Sequence, residues 1–358
     1  MDAPAPEMEA ELTPGNRTSA TPDRDVICYR LTGIYRSGDI MLITRVVLYL
    51  IGVVANTVAY SVLTVMTRQG SSVFYLRMLA IADAVNCLTT FIGRDLKALT
   101  SNTLLKFLRY VRWYKQYRVH LYPLVDAVCQ MTSATSSWIL YALNVDRYIA
   151  IRYPLSAMNL CTISNSKRIS SIVWIATFIF HLPKVWDKAH AFGSGPCSFA
   201  KPRRLLLANY KYAFYYDFIF GQVISRFIPG IAIFIFNVHM FALMGAARRN
   251  RRRFKTKNSS VKLKATDTSG KLGTQITLTI MTLNVFYCAQ YTFMAINTII
   301  PALSKLNGGP KISRPYHEGQ LVQSINAMMN LFVYLCIRSG FAETLVWCLS
   351  CGSVGNRK

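Results

Sequence analysis

The chain has 358 residues, 52% of them hydrophobic and only 16% charged, with a formal net charge of +25 and a positive mean hydropathy. The apolar residues are gathered in long blocks, which excludes an ordinary soluble domain, where polar residues would interleave them. No polar domain remains in which such blocks could sit as buried core helices.

The chain begins MDAPAPEMEAELTPG, acidic and Pro-rich, with no basic start and no apolar run, so the sequence predicts no cleavable signal peptide there. The first apolar span would then act as its own insertion signal. Composition predicts a disordered tail over 1–41. Asn16-Arg17-Thr18 fits an N-glycosylation acceptor, useful only if this tail is extracellular. Asn258-Ser259-Ser260 is the same triplet inside a basic loop, where chance explains it.

Stretches of about 20 mainly apolar residues, enough to cross a bilayer core of roughly 30 Å, occur seven times. They lie near 42–66, 73–95, 119–151, 169–186, 213–247, 273–303 and 318–338. Each must be helical, because backbone amides in hydrocarbon have to be satisfied within their own segment. The expectation is an all-α membrane protein, a seven-transmembrane helix bundle over 42–338. Residues 339–358 would form a short amphipathic helix and a cytoplasmic tail. Basic residues fall in similar numbers on the two sides of the spans, so the positive-inside rule does not orient the chain.

Polar side chains inside spans cost about 2.5–3.5 kcal/mol each when charged, and are functional candidates by default. The first span carries Asn56 and the second Asp83; the third carries Ser136 and ends in Asp146-Arg147-Tyr148; the seventh carries Asn326, Asn330 and Tyr334. Here the chain resembles the rhodopsin-like (class A) G-protein-coupled receptors. The run Val145-Asp146-Arg147-Tyr148-Ile149-Ala150-Ile151-Arg152-Tyr153-Pro154-Leu155 is similar to the family's third-span ending. Trp174, Pro183, Pro229, and Asn330-Leu331-Phe332-Val333-Tyr334 followed by Phe341 extend the match over 42–352. Tyr122-Pro123-Leu124, Asn237 and Leu331 resemble an invertebrate neuropeptide group of the FMRFamide-receptor type.

The resemblance implies a cell-surface receptor at the plasma membrane, with an extracellular N-terminus, a peptide ligand and a heterotrimeric G protein as partners. Asp146, Arg147, Tyr148, Asn330 and Tyr334 would form the coupling switch. Adjacent helical residues point about 100° apart, so Arg147 is expected to face the bundle and Asp146 the second intracellular loop. At rest Arg147 would lie against Asp146; the alternative is an interfacial arginine snorkelling to lipid phosphates. Relatives place an acid at the foot of the sixth span, but alignment on Cys288 puts Lys271 there, which predicts appreciable ligand-independent activity. Asp83, Ser136, Asn326 and Asn330 resemble the family's sodium pocket, an allosteric ion held by a carboxylate and neutral oxygens. The alternative is a protonated, hydrogen-bonded Asp83. The sixth span, Val285-Phe286-Tyr287-Cys288-Ala289-Gln290-Tyr291, lacks the family's Trp and Pro, and Leu331 replaces the seventh-span Pro. The kink that would let the sixth span swing outward is therefore unexplained.

In that orientation Cys28 and Cys197 are the cysteines free on the oxidising side and are expected to pair, with Cys129 a rival partner for Cys197. Phe341, Leu345, Cys348 and Leu349 recur at helical spacing, as in a helix lying on the membrane, and Cys348 and Cys351 are palmitoylation candidates. Seven basic residues between Arg94 and Arg118 face one acid, Asp95, and Lys184, Lys188, Lys201, Arg203, Arg204 and Lys211 in the second loop face Asp187. Such a field favours anions. Arg226 would pair with Asp126 or with an acidic group of the ligand, and a peptide with such a group fits the charge better than one with a basic end. The alternative is that these loops pair with the acidic tail or with lipid headgroups. Gln130, Ser133, Gln222, Tyr291, Gln320 and Gln323 share the pocket face and depth. The third intracellular loop, Arg248 to Lys271, holds ten basic residues and one acid, suited to acidic headgroups or a G protein.

Other functions fit less well. His317-Glu318 lacks the second His of a zinc motif, there is no phosphate-binding Gly loop, and no nucleic-acid partner is indicated. A retinal protein needs a seventh-span Lys, and none stands between Glu318 and Arg338. A small-anion transporter would show a pseudo-repeat and broken helices at matching places. A receptor-like protein with weak or no coupling remains compatible with the missing Trp and Pro residues.

Overall fold

The computed structural model describes residues 39–66, 70–96, 122–189, 213–257, 275, 277–293, 296, 316–337 and 341–350. Asn16, Cys28, Cys197, Lys271 and Cys351 lie outside the described residues, as do the side chains of Gln222 and Gln320.

The described chain is helical almost throughout. Helix α1 spans Asp39–Val65 and α2 spans Ser71–Thr90, continued by a π-helical turn Phe91–Asp95. Gly70, extended at φ −124°, caps α2. Helix α3 spans Tyr122–Arg152 and α4 Pro154–Leu160, a short helix that the sequence reading does not anticipate. Pro154 starts α4, where its fixed φ suits a first turn and its missing N–H costs nothing. Helix α5 spans Ile163–Ala189, and a π-helical stretch Ala213–Phe227 leads into α6, Ile228–Lys257. Residues 277–293 form α7. Helix α8 spans Tyr316–Ile337 and α9 Phe341–Leu349. Thus α1, α2, α3, α5, α6, α7 and α8 are the seven spans, and α9 is the short eighth helix.

The protein is a seven-helix membrane bundle. Three helices among the described residues are long and apolar enough to cross a bilayer by length and composition alone: Leu42–Val65, Ser71–Gly93 and Ile219–Ala246. Apolar side chains cover the outer surface of the bundle as well as its core. Ile172, Ile175, Phe178 and Ile179 of α5 and Ile231, Phe234, Ile235 and Val238 of α6 are all exposed. A patch of this extent needs lipid as its solvent. Hydroxyls on the same outer surface are satisfied locally: Thr57, Ser61 and Thr64 of α1 donate to the carbonyls of Val53, Thr57 and Tyr60, four residues back, at 2.8–3.0 Å.

Helices α1, α2, α3 and α8 pack as a central group, with α5 and α6 against α3. Ala59, Leu63, Leu76, Leu79, Ile139, Leu140 and Leu143 form its apolar core, joined by Ile233, Ile280, Val333 and Phe341. Close approach of α1 to α2 depends on Gly52, where a Cβ would stand 2.9 Å from the Cys87 sulfur. Small residues serve this purpose in membranes, where water cannot drive helices together.

Three charged residues, Arg45, Asp95 and Lys184, are buried within the bundle. Arg45 and Asp95 form an ion pair at 3.2 Å between α1 and the π-helical turn after α2, with side chains 2% and 1% exposed. Asp95 is therefore no free counter-charge for its basic loop. Lys184, assigned above to a loop, is buried on α5. That helix continues through Pro183 to Ala189, three residues past the expected end.

Breaking one side of a buried pair leaves an uncompensated charge, costing about 3–5 kcal/mol. Arg45→Ala and Asp95→Ala should each markedly lower the melting temperature of the detergent-solubilised protein, read by fluorescence-detected size exclusion. The exchange Arg45→Asp with Asp95→Arg should recover part of the loss.

Candidate functional site

Polar side chains line the interior of the bundle in layers. At one end, the last turns of α3 bring Asp146 and Arg147 together. The Arg147 Nη2 donates to Asp146 Oδ2 at 3.2 Å. The Asp146 carboxylate is turned into the bundle and not towards the loop after α3. Its Oδ2 also accepts from Ser71 Oγ at 3.0 Å and Ser72 Oγ at 2.8 Å. The reason is local: α2 starts at Ser71 beside the end of α3, and two hydroxyls there satisfy a carboxylate only 7% exposed. The Cys161 thiol, beyond α4, donates to the Asp146 carbonyl at 3.4 Å. Burial, and then the nearby Asp146 charge, push this thiol up to about 11, so it stays a neutral donor. Tyr148 points to the other side, its ring against Phe236 and His239 of α6 and Tyr153. Tyr334 is fully buried, with its ring 5.6 Å from that of Phe341, which anchors α9 under α8.

In mid-bundle, Asp83 of α2 accepts from Ser136 Oγ of α3 at 2.6 Å and from Asn330 Nδ2 of α8 at 2.7 Å. Asn330 Nδ2 also donates to Asn56 Oδ1 of α1 at 3.0 Å, and Asn56 Nδ2 to the Gly52 carbonyl at 2.8 Å. Helices α3 and α8 thus meet the α2 carboxylate directly, and α1 joins through Asn330. Asn326 does not join them. It sits one turn before Asn330 along α8, where Gln290 of α7 offers a carbonyl oxygen 2.7 Å from its Nδ2. Of the expected set, Asp83, Ser136 and Asn330 are joined directly by hydrogen bonds, with Asn56 bonded to Asn330, while Asn326 is bonded to Gln290.

Two further layers reach α7. Tyr291 and Ser137 of α3 share a hydrogen bond at 2.6 Å, and Tyr287 donates to Tyr291 at 2.7 Å. The Tyr291 ring fills the space over Gly230 of α6. Tyr291 is therefore drawn into the bundle between α3 and α6. Nearer the Asp146 end, Asn144 of α3, Asn284 of α7 and Asn237 of α6 form an amide cluster. Sequence reasoning marked Asn237 only as a departure from its relatives, and neither Asn144 nor Asn284 at all.

Towards the opposite end, Gln130 Nε2 donates to Asp126 Oδ2 at 2.8 Å, and the Lys184 ammonium donates to Gln130 Oε1. Gln130 thus bridges an acid of α3 and a cation of α5. Ser133 and Gln323 are buried at neighbouring levels of α3 and α8, and the Ser133 carbonyl accepts from Ser137. Arg226 is half-buried at the end of the π-helical stretch before α6. Cys129 is a buried thiol, 3.1 Å from Thr90 Oγ1 on α2.

A bundle of seven spans with a buried carboxylate at its middle and an Asp-Arg pair at one end has the layout of a membrane receptor of the seven-helix type. The chain belongs to the rhodopsin family of seven-transmembrane receptors, whose family profile, described as "7 transmembrane receptor (rhodopsin family)", matches residues 55–337. It is a multi-pass protein of the plasma membrane, as that family is. The chain is similar to somatostatin receptor type 3 of Mus musculus, 26% identical over 198 residues that cover 53% of this chain and 43% of that one. It is also similar to the FMRFamide receptor of Drosophila melanogaster, 19% identical over 208 residues covering 57% and 37%. The matched stretch thus spans less than half the length of either relative.

Removing the donors to Asp146 tests the packing at the α2–α3 end. Ser71→Ala with Ser72→Ala leaves the buried carboxylate to Arg147, and an unsatisfied buried acceptor costs about 1–3 kcal/mol. The double variant should melt measurably lower than either single variant.

Proposed function

We propose that the protein is a cell-surface receptor that binds an extracellular peptide and activates a heterotrimeric G protein. The observation that carries this reading is the Asp146-Arg147 contact at the end of α3, joined by successive polar layers to the opposite end of the bundle. In this reading the N-terminus and the Asp126 layer are extracellular, and Arg147, α4 and α9 are cytoplasmic. The names of the two relatives, one a somatostatin and one an FMRFamide receptor, support a peptide ligand.

Arg147 is the switch. A guanidinium keeps its charge at physiological pH and can exchange hydrogen-bond partners without losing solvation. At rest it is held by Asp146, itself fixed by Ser71 and Ser72. On activation it turns to the G protein and to polar groups of α6 or α8, with Tyr148, Asn330 and Tyr334 as the surrounding parts. At the outer end the ligand meets Asp126, Gln130, Ser133, Arg226, Tyr291 and Gln323, with Gln222 and Gln320 on the same helices. Lys184 adds a second buried cation near this site, which favours a peptide with an acidic group. Asn16 would carry a glycan, Cys28 and Cys197 a disulfide, and Cys348 and Cys351 palmitate.

Asp83 with Ser136, Asn330 and Asn56 fits a monovalent cation by its donor chemistry: one carboxylate among neutral side chains from three further helices. A sodium ion there would neutralise Asp83 and favour the resting packing.

Cells expressing the receptor, screened with a peptide library while calcium and cyclic AMP are recorded, should respond to at least one peptide. Arg147→Ala at equal surface level should reduce that response by about tenfold or more, the loss of one charge-assisted contact or more. Responses unchanged by the substitution would falsify the switch assignment, and no coupling in any arm would favour the weakly coupling alternative. Sodium chloride, compared with N-methylglucamine chloride at equal ionic strength, should raise the melting temperature of the wild type and leave Asp83→Asn unmoved.

A further inference from the structure

Helix α7 is bound to its neighbours near the Arg147 end by neutral amides. Asn284 Nδ2 donates to Asn144 Oδ1 of α3 at 2.6 Å and to Asn237 Oδ1 of α6 at 2.7 Å. Asn144 Nδ2 returns a bond to Asn284 Oδ1 at 3.1 Å. Asn144 and Asn284 are each 0% exposed. Three helices therefore share one reciprocal amide cluster a single helical turn from Arg147, since Asn144 lies three residues before it on α3.

We infer that the Asn144–Asn284–Asn237 cluster is the clasp that holds α7 against α3 and α6 in the resting receptor. The geometry supports this in three ways. First, the bonds cross helices, so α7 cannot move away from α3 without breaking them. Asn284 would then be exposed to lipid tails that offer no replacement, and a buried amide without a partner is unfavourable. Secondly, the cluster ties Asn284 to two helices at once, which fixes the rotation of α7 as well as its distance. Thirdly, Asn144 also donates to the Leu140 carbonyl at 2.7 Å, so its side chain is oriented by its own helix before it meets Asn284. The arrangement is short-range and uncharged, so it restrains α7 without the acid that Lys271 replaces at the foot of that span. This inference rests on the receptor reading for its consequence, although the clasp itself is a property of the bundle.

The test replaces Asn284 by Leu, similar in volume and without hydrogen bonds, in the full-length receptor reconstituted in nanodiscs. Nitroxides are introduced through non-natural ketone residues at Arg152, at the end of α3, and at Leu278, exposed on α7, so that native thiols are left intact. Two quantities are read without ligand: the label-to-label distance, and GTPγS uptake by purified heterotrimers of the stimulatory, inhibitory and Gq classes. Asn284→Leu should lengthen the distance distribution and raise basal uptake by about three- to tenfold, the range expected for losing a few neutral buried hydrogen bonds. Asn237→Leu, at a half-buried position that contributes one acceptor, should give a smaller rise and guards against misfolding of the first variant. Asn144→Leu combined with Asn284→Leu should exceed neither single variant by much, because both remove the same reciprocal bonds. A merely structural role would lower uptake together with folded yield. If well-folded variants show the wild-type distance and wild-type basal uptake, the clasp does not exist. If the distance lengthens but no heterotrimer responds to any variant, the clasp stands and the coupling reading fails.

Discussion

Helices surrounded by hydrocarbon gain nothing from excluding water, so the bonds that choose their neighbours are those between polar groups with nowhere else to go. In this protein that constraint is concentrated on Asp83. Its carboxylate takes a hydroxyl from α3 and an amide from α8, and that amide also reaches α1. The central group of α1, α2, α3 and α8 is the consequence. Gly52, by letting α1 approach Cys87, brings Asn56 near enough to complete the set.

The remaining helices are attached by other polar layers. Thr135 and Thr177 share a hydrogen bond at 2.7 Å that joins α3 to α5 in mid-bundle. Among the described residues, helix α7 is attached through Gln290 to α8, through Tyr291 to α3, and through Asn284 to α3 and α6. None of those three attachments carries a formal charge, whereas both ends of the bundle use carboxylates paired with guanidinium groups. Neutral bonds exchange partners with less solvation cost than buried ions. The helix proposed to move is therefore joined by the kind of bond that is cheapest to break and remake.

Much of this was legible in the sequence, because a long apolar block has one physical interpretation and because Asp83, Arg147 and Asn330 are costly enough inside such blocks to announce themselves. Pairings were less legible. Asn326 and Asn330 stand one turn apart on one helix, and only the position of Gln290 on α7 decides that the Asn326 amide donates there. Arg45 stands near the start of its span, where a side chain that reaches water and one that is buried look alike until Asp95 is placed beside it. Lys184 stands near the end of its predicted span, and α5 continues past it to Ala189, so its ammonium meets Gln130 of α3. Asn144 and Asn284 gave no signal individually, since an amide in an apolar run acquires meaning only from the partner it meets 140 positions away.

The Arg45–Asp95 pair also has a consequence for kinetics. Because Asp95 is spent on Arg45, the stretch from Lys97 to Arg118, which contains no other acid, presents its positive charge unopposed by its own sequence. A field of one sign accelerates the arrival of oppositely charged molecules and is screened over about 8 Å at physiological ionic strength. Salt would then govern how fast an anionic molecule reaches this end of the receptor far more than how long it stays there. A fold-stabilising contact buried between two helices thereby leaves the net charge of the sequence that follows it uncompensated.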